Sequence, residues 1–519
     1  MGIIVAGCFL AASVAVFAVA FTDSQESYET TVEINVGELG KLKCKKADGA
    51  VQCFGVPYAK QPQRFEDAQF PPPAWGYRDA FLREKSAPIC VQGCHGPEPR
   101  NDPWFPGCPK LEDGGQSEQC LYLQIDFPDR LLNNNNDLID QKLPVFVFNH
   151  GGGFGGGSPF FQQYDSRLLS SKGDIVVVAV AYRLGIFGGY PITRQYESKQ
   201  VTGNLGLSDQ QRALEFVHNF IKYFGGDSNR VTLAGQSAGA ESAYIHTLMD
   251  GRHQDWFQQA WIMSGPLGLP YLTTEEANAN VLPAIEAGFN DKYDQWISEG
   301  KNYEKCSLSN GHDNFHECLK KLSTEDFKNI PASNHFFDGF QVRDIFSSDP
   351  SNPRAKKLLS VSQTWQPFID GGFLSDQMVN EGRKKLQNTD KIIAMGQTGD
   401  EGELYSAGTL DSLIGSETPC TEEIYDIALQ ALLHSANPKS KEKEKVLDIY
   451  PYGLDTKRLR TDRGLEGQDC RDVANSAIRD VLWTCTLRNV FKTAQEKNPA
   501  LIGKFYSWYY DEPFVWVPP

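Results

Sequence analysis

Two runs of residues in the first half of the chain are apolar on every side. Val145–Phe148 reads Val-Phe-Val-Phe, and Ile175–Val180 reads Ile-Val-Val-Val-Ala-Val. A strand with two apolar faces must be buried on both, which is typical of parallel sheets covered by helices. Gln211–Tyr223 follows, with apolar residues at helical spacing. Strand-like and helical patterns thus alternate along this part of the chain, in the segments Leu143–Phe148, Asp174–Ala181, Ser208–Phe224 and Arg230–Ala234. It predicts an α/β fold with a large, mostly parallel central sheet and helices on both faces.

Composition restricts the class of protein further. The chain has 519 residues, of which 40% are hydrophobic, so it can bury a large core. No repeat and no long low-complexity tract divides it, and we predict a single domain over residues 21–519. A net charge of −16 argues against a nucleic acid or an anionic membrane as partner.

The N-terminal segment differs from the rest of the chain. Ile3–Phe21 is almost wholly apolar, and Ala18–Ala20 offers a small-x-small cleavage site. We therefore predict a signal peptide over residues 1–20 and a secreted protein, or one in the lumen of the secretory pathway. The alternative is an uncleaved anchor, because 19 apolar residues just span a bilayer; only in that case is a membrane a partner.

Twelve cysteines fit an oxidising compartment. Cleavage of the signal peptide removes Cys8 and leaves eleven. Proximity suggests Cys44–Cys53 and Cys306–Cys318, with two more pairs among Cys90, Cys94, Cys108 and Cys120, while Cys420, Cys470 and Cys485 remain. An odd number leaves at least one thiol without a partner, which is either a free buried cysteine or one whose partner lies beyond Pro519.

A candidate nucleophile lies in Gly235–Gly239, which reads Gly-Gln-Ser-Ala-Gly. The motif follows a predicted strand, Val231–Ala234, and precedes a predicted helix, Ala240–Met249. A serine on such a sharp strand-to-helix turn holds its hydroxyl free of the sheet, and the two glycines let strand and helix approach closely. The helix N-terminus favours negative charge beside the serine. We therefore predict Ser237 as a catalytic nucleophile, although a glycine-rich turn without a catalytic role also fits the motif.

A second glycine motif, His150–Phe154, follows the strand that ends at Phe148. Three consecutive glycines let bare backbone amides approach a substrate carbonyl as it becomes an oxyanion. We assign the oxyanion hole to the amides of Gly152, Gly153 and Ala238, and we interpret His150 as a residue that orders the loop. The alternative is a flexible loop, which the nearby glycines at 155–157 also fit.

Further motifs resemble the type-B carboxylesterase/cholinesterase family, in the family's order from about residue 35 to the end. They are Phe54–Ala59, Arg64–Phe65, Ser117–Leu123, Tyr182–Gly185, Gly203–Gln210, Phe224–Asp227 and the serine motif itself. The resemblance implies an α/β-hydrolase fold, ester hydrolysis through an acyl-enzyme, and the disulfides Cys90–Cys120 and Cys306–Cys318.

The catalytic acid rests on the same resemblance. Trp365–Gly371 and Gly399–Gly402 look like the family stretch that contains the triad glutamate, which falls on Glu401. From residues alone Asp370 and Asp400 compete with it. A carboxylate behind the base holds the imidazole in the correct tautomer. Ser264 resembles a family serine behind the triad, and we expect it to hydrogen-bond the acid.

The base is missing from this pattern. The order serine, acid, histidine requires a histidine after Glu401, and only His434 lies there, within an amphipathic helical pattern. We interpret His434 as a surface or helix-end residue. The final Phe505–Tyr510 looks like the strand that precedes the family's catalytic histidine. We therefore expect either a truncated C-terminus or a non-catalytic, cholinesterase-like adhesion or binding protein, and the intact nucleophile favours truncation.

The expected substrate is a small-molecule or lipid ester. Cholinesterases have a glutamate before the serine, whereas this chain has neutral Gln236. Trp104 lies between Cys90 and Cys120, as the choline-stacking tryptophan does, but the spacing differs. The resemblance therefore favours a general carboxylesterase without cofactor or metal. His312 and His316 suggest metal ligation, but a loop disulfide at the neighbouring Cys318 fits that region better.

Overall fold

The two apolar runs lie at the centre of one large sheet. The computed structural model describes residues 30–80, 87–92, 115–330, 365–399, 401–402, 421–422, 425, 445, 448–451 and 471–510. In these residues the strands are β1 Thr30–Asn35, β2 Gly40–Ala47, β3 Ala50–Pro57, β4 Gly76–Asp79, β5 Ile89–Cys90, β6 Gln116–Ser117, β7 Tyr122–Pro128, β8 Leu143–Asn149, β9 Val176–Val180, β10 Thr193–Tyr196, β11 Lys199–Thr202, β12 Gly226–Gln236, β13 Gln259–Met263, β14 Ile392–Thr398 and β15 Phe505–Tyr510.

The main sheet has the order β1-β2-β3-β7-β9-β8-β12-β13-β14-β15, with β4 beside β2. Pairing is antiparallel from β1 to β9 and parallel from β9 to β15. The predicted mostly parallel sheet with helices is confirmed. Two small pairs, β5–β6 and β10–β11, lie outside it.

The described α-helices are α1 Arg167–Gly173, α2 Gly185–Gly189, α3 Leu205–Phe220, α4 Ala238–Leu248, α5 Thr274–Ser298, α6 His312–Lys320, α7 Thr324–Lys328, α8 Met378–Lys385, α9 Arg471–Arg479 and α10 Cys485–Lys497. A π-helical turn, Asp480–Thr484, joins α9 to α10. Helix α4 begins two residues earlier than the sequence predicts, directly after Ser237. Helix α3 begins at Leu205 and continues as a 3-10 turn to Phe224. No described helix is long and apolar enough to cross a membrane.

The two faces of the parallel half of the sheet differ in burial. On the face covered by α4, Val147, Leu233 and Met395 are fully buried. The opposite face carries a row of aromatic side chains, and it is half-exposed around Trp261 and exposed at Tyr506. The carboxyl ends of all these parallel strands meet at one edge, which is where ligands bind in open α/β sheets.

A buried ion pair joins two of the sequence motifs, Tyr182–Gly185 and Gly203–Gln210. The guanidinium of Arg183 donates from Nε to Asp209 Oδ2 at 2.8 Å and from a terminal nitrogen to Oδ1 at 2.7 Å. Asp209 is fully buried and Arg183 nearly so. Another guanidinium nitrogen donates to the carbonyl oxygen of Glu66 at 2.7 Å. The pair thus ties the turn after β9 to helix α3.

Breaking this pair should destabilise the fold strongly. Replacing Asp209 by asparagine leaves a buried, unpaired guanidinium, so we expect the free energy of unfolding to fall by about 3–5 kcal/mol. The measurement is urea denaturation. The matched control is Glu33→Gln, which breaks an exposed ion pair with Lys41 and should change stability by less than about 1 kcal/mol. Equal effects of the two substitutions would contradict the assigned role of the buried pair.

Three disulfides lie in the described residues: Cys44–Cys53, Cys90–Cys120 and Cys306–Cys318. These are pairs that proximity or the family resemblance predicts. Cys485 is exposed and is a free thiol in the described part of the chain. Cys94, Cys108, Cys420 and Cys470 lie outside the described residues.

Candidate active site

Ser237 occupies the strained turn between β12 and α4. Its φ of 56° and ψ of −124° place a non-glycine residue in a sparsely populated backbone region, a strain that recurs at catalytic sites. The amide of Ser237 donates to the carbonyl oxygen of Met263 at 2.9 Å, which fixes the turn against β13. The side chain is half-buried.

The glycines on either side of Ser237 are required by close approach. A Cβ added to Gly235 would lie 2.1 Å from the carbonyl oxygen of Gly239. One added to Gly239 would lie 2.0 Å from the carbonyl oxygen of Asn149. Helix α4 therefore crosses directly over the ends of β8 and β12, and only glycine fits at both crossings.

The triple-glycine loop lies against this turn. A Cβ added to Gly151 would be 3.0 Å from Cβ of Ser237 and 2.6 Å from Oε1 of Gln236. Gly152 and Gly153 have φ of 116° and 56°, which glycine adopts readily. In the described part of the chain, the amides of Gly152, Gly153 and Ala238 donate no hydrogen bond. Donors without a partner in the described residues thus lie on the loop that contacts Ser237 and directly after Ser237 in the chain, and the positive end of the α4 dipole adds to them.

His150 is buried beneath the loop rather than presented to a substrate. Its Nδ1 lies 2.8 Å from the carbonyl oxygen of Gly151, and its ring stacks on Tyr182 at 4.5 Å between centroids. The hydroxyl of Tyr182 donates to the carbonyl oxygen of His150 at 2.7 Å. Burial lowers the pKa of His150 to about 4. These contacts suit a residue that orders the loop.

Glu401 lies at the same sheet edge, three residues after β14. Its Oε1 accepts a hydrogen bond from the amide of Thr398 at 2.8 Å, and its side chain is hydrogen-bonded to Ser264. Burial raises the pKa of Glu401, and these hydrogen bonds oppose the rise. The hydrogen bonds from Thr398 and Ser264 thus fix the orientation of the Glu401 carboxylate. A carboxylate that orients another side chain must itself be held in this way.

Ser264 lies between Glu401 and Ser237 in the order of the strands. It follows β13 directly, has φ of 56°, and donates its amide to the carbonyl oxygen of Gly396 at 2.8 Å. Ser237 follows β12, and its amide donates to the carbonyl oxygen of Met263, the residue before Ser264. Ser237, Ser264 and Glu401 thus come after the carboxyl ends of three adjacent parallel strands, β12, β13 and β14.

The competing acid Asp370 has another task. Its Oδ1 accepts the amides of Gly372, Phe373 and Leu374, at 2.9, 2.8 and 3.2 Å. Its Oδ2 accepts from Nδ2 of Asn204 at 2.9 Å. Asp370 therefore closes a turn and ties it to the start of α3. Asp400 lies outside the described residues.

Two buried polar residues at the site escape sequence reasoning. Glu241, fully buried on α4, donates its amide to the carbonyl oxygen of Ser237 at 3.0 Å. Its carboxylate accepts a hydrogen bond from the hydroxyl of Tyr271. Asn149, the last residue of β8, is 1% exposed. A charged or amide side chain within an otherwise apolar element is the signal that could have identified both.

The structure does not describe two of the remaining candidates. His434 and Trp104 lie outside the described residues. His316 is buried, and its Nδ1 lies 2.7 Å from the hydroxyl of Tyr190. No group of three or more potential metal ligands occurs among the described residues.

Comparison with known proteins agrees with this geometry. A sequence model of the carboxylesterase family matches residues 28–516. Relatives include fumonisin B1 esterase of Sphingopyxis macrogoltabida (37% identity over 45% of this chain and 40% of that protein) and juvenile hormone esterase of Tribolium castaneum (37% over 44% and 34%). Acetylcholinesterase of Bungarus fasciatus is 32% identical over 50% of this chain and 40% of its own length. These alignments span less than half of each relative. Because the family match covers nearly the whole sequence, the chain belongs to the carboxylesterase family.

Proposed function

We propose that this protein is a secreted serine carboxylesterase that hydrolyses esters through an acyl intermediate on Ser237. The observation that carries the proposal is a serine on a strained turn that lies against the triple-glycine loop, with unpaired amides on that loop and directly after the serine. Such amides lie where the carbonyl oxygen of a bound ester would gain negative charge, and one such donor is worth about 3–4 kcal/mol of transition-state stabilisation. No cofactor enters the proposal.

The proposed reaction has two halves. The hydroxyl oxygen of Ser237 adds to the ester carbonyl carbon while its proton passes to a base, and the amides of Gly152, Gly153 and Ala238 hold the oxyanion. The bond to the alcohol oxygen then breaks, and the alcohol leaves with that proton. Water, deprotonated by the same base, adds to the acyl carbon; the bond between this carbon and the Ser237 oxygen then breaks, the base returns its proton to that oxygen, and the acid is released. Glu401, braced by Ser264, orients the base.

The base is proposed to be a histidine outside this sequence. None of the described histidines both lies at this sheet edge and has a ring that is available to accept a proton from Ser237. We still interpret His434 as a surface or helix-end residue. The open reading frame after Pro519 tests this directly, and we expect it to encode a histidine within a few tens of codons.

The proposed substrate class is a small-molecule or lipid carboxylic ester. The relatives named for fumonisin B1, juvenile hormone and acetylcholine are named for different esters. Membership of the family therefore supports ester hydrolysis but does not identify one substrate. Gln236 is exposed and neutral, which argues against a site built around a cationic alcohol. The signal peptide predicted over residues 1–20 and the three disulfides of the described residues support secretion.

A fluorophosphonate probe tests the proposed function. The probe phosphonylates an activated serine, and we expect peptide mass spectrometry of the labelled full-length protein to place it on Ser237. A folded full-length protein that resists labelling would instead support the alternative, a non-catalytic adhesion or binding protein of the same fold.

Glu401→Gln tests the role of the acid. Glutamine keeps the size and the hydrogen bond from Thr398 but cannot stabilise a protonated imidazole, so we expect kcat of the full-length protein to fall about 10⁴-fold. The thermal midpoint should change little. The matched control is Glu381→Gln, a buried glutamate that pairs with Lys385 away from this edge. An E401Q protein with near-normal kcat would exclude Glu401 as the acid.

A further inference from the structure

Asn149 is anomalous in its surroundings. It is 1% exposed, and among the described residues neither its Oδ1 nor its Nδ2 has a hydrogen-bond partner. An unpaired buried amide costs a protein roughly 1–3 kcal/mol, and native proteins satisfy nearly all such groups. Valine or isoleucine would fit the same strand without that cost. Asn149 is therefore not explained by stability.

The position of this side chain follows from the strand register. Asn149 pairs with Gly235 of β12 and with Val180 of β9 in parallel ladders, so the three residues project from one face of the sheet. The Cβ direction of Gly235 points to the carbonyl group of Gly239 and the amide nitrogen of Ala240. The side chain of Asn149 therefore projects from the face on which the first turn of α4 lies.

That turn carries donors without helical partners. The first amides of a helix have no helical carbonyl four residues earlier that could accept a hydrogen bond from them. In α4 the amide of Glu241 donates to the carbonyl oxygen of Ser237. The carbonyl oxygens of Asn149 and His150 lie directly beneath Gly239. The unpaired amide side chain of Asn149 thus projects from the sheet face that is crossed by the first turn of α4, where the first amides have no acceptor within the helix.

We propose that Asn149 holds one buried water that links the end of β8 to the first turn of α4. Asn149 is then a positioning residue of the proposed esterase: it fixes the start of the oxyanion loop relative to Ala238, and it touches no substrate. Buried waters of this kind make about three hydrogen bonds to groups that otherwise have none. Here the water accepts from an α4 amide and from Nδ2 of Asn149, and it donates to Oδ1 of Asn149.

Asn149→Leu tests the inference. Only the labelling of Ser237 in this test rests on the proposed function; hydrogen exchange and the thermal midpoint do not. Leucine fills a similar volume and binds no water. We expect backbone hydrogen exchange in residues 150–157 to rise about tenfold and fluorophosphonate labelling of Ser237 to slow by about 10- to 100-fold, because a small misplacement of donors is costly. The thermal midpoint should change little, because the hydrogen bonds to the water are exchanged for apolar contacts of the leucine side chain.

Val147→Ala is the matched control. Val147 is fully buried two residues earlier on the same face, and its truncation should lower the thermal midpoint without changing exchange in the loop. Unchanged exchange and labelling in N149L, with a higher midpoint, would overturn the inference. If N149L fails to fold, a crystal structure of the unaltered protein decides: a water within hydrogen-bond distance of Asn149 supports the proposal, and a dry site or a protein partner refutes it. Absence of labelling in the unaltered protein would count against the esterase alone.

Discussion

Replacing Ser237 by alanine is expected to lower ester hydrolysis by the full-length protein by up to about a millionfold, leaving roughly a thousandfold advantage over water. The remaining rate would come from the oxyanion amides, which do not depend on the serine hydroxyl. Alanine tolerates the strained backbone at this position no worse than serine does, so the fold should persist. Initial-rate kinetics with a p-nitrophenyl ester measure the effect.

The matched control removes a buried hydroxyl elsewhere. Ser208 donates to the carbonyl oxygen of Leu205 at 2.8 Å, within α3, and Ser208→Ala should alter kcat no more than severalfold. A Ser237→Ala protein that retains most of the activity would show that hydrolysis occurs at another site.

Acidification is expected to destabilise the protein steeply below pH 6.5. Four described histidines are buried and uncharged. Burial lowers the pKa of His150, His253 and His316 to about 4 and that of His246 to about 3. The unfolded chain binds protons near pH 6.5, so it gains protons that the folded state cannot take up. Stability present above pH 6.5 is therefore lost as the pH falls toward 4.

The magnitude follows from linkage. Each such histidine costs about 1.4 kcal/mol per pH unit, so at pH 5 the four together cost at most about 8 kcal/mol. Asp126 acts in the opposite direction, because burial raises its pKa to about 6 and the folded state then takes up a proton more readily. The net loss is still comparable to the whole stability of an ordinary domain, about 5–15 kcal/mol.

Urea denaturation at pH 7 and pH 5 measures this loss. His246 is fully buried, and its Nε2 lies 3.1 Å from Oε1 of Gln210. His246→Gln should reduce the slope of stability against pH by about 1.4 kcal/mol per unit. His218, which is exposed, is the control, and His218→Gln should leave the slope unaltered. Equal stability of the unaltered protein at both pH values would show that the buried histidines do not govern it.

The serine turn and the glycine loop were predictable because local chemistry determines them. Strands that are apolar on both faces must be buried on both, which is typical of a parallel sheet covered by helices, and glycines two residues before and after a serine permit a helix to cross its own strand. The start of α4 was predicted too late, at Ala240, because Gly239 disfavours helix by propensity. The close crossing over Asn149 requires glycine there and outweighs that propensity.

The acid could not be predicted from local sequence. Asp370, Asp400 and Glu401 all adjoin glycines, and nothing in their neighbours ranks them. Their roles depend on contacts with residues distant in sequence: Asp370 is engaged by Asn204, and Glu401 by Ser264. Likewise, the antiparallel pairing of β1, β2, β3 and β7 was not anticipated, since the apolar runs that indicate the fold lie only in its parallel half.

The most direct measurement is a search for the acyl intermediate itself. The full-length protein is mixed with an activated acetyl ester, quenched in acid within the first turnover, digested and mapped by mass spectrometry. The proposed mechanism predicts one acetyl group, on the peptide that contains Ser237, and none in Ser237→Ala. An acetyl group on another residue, or rapid hydrolysis without acylation of Ser237, would contradict it.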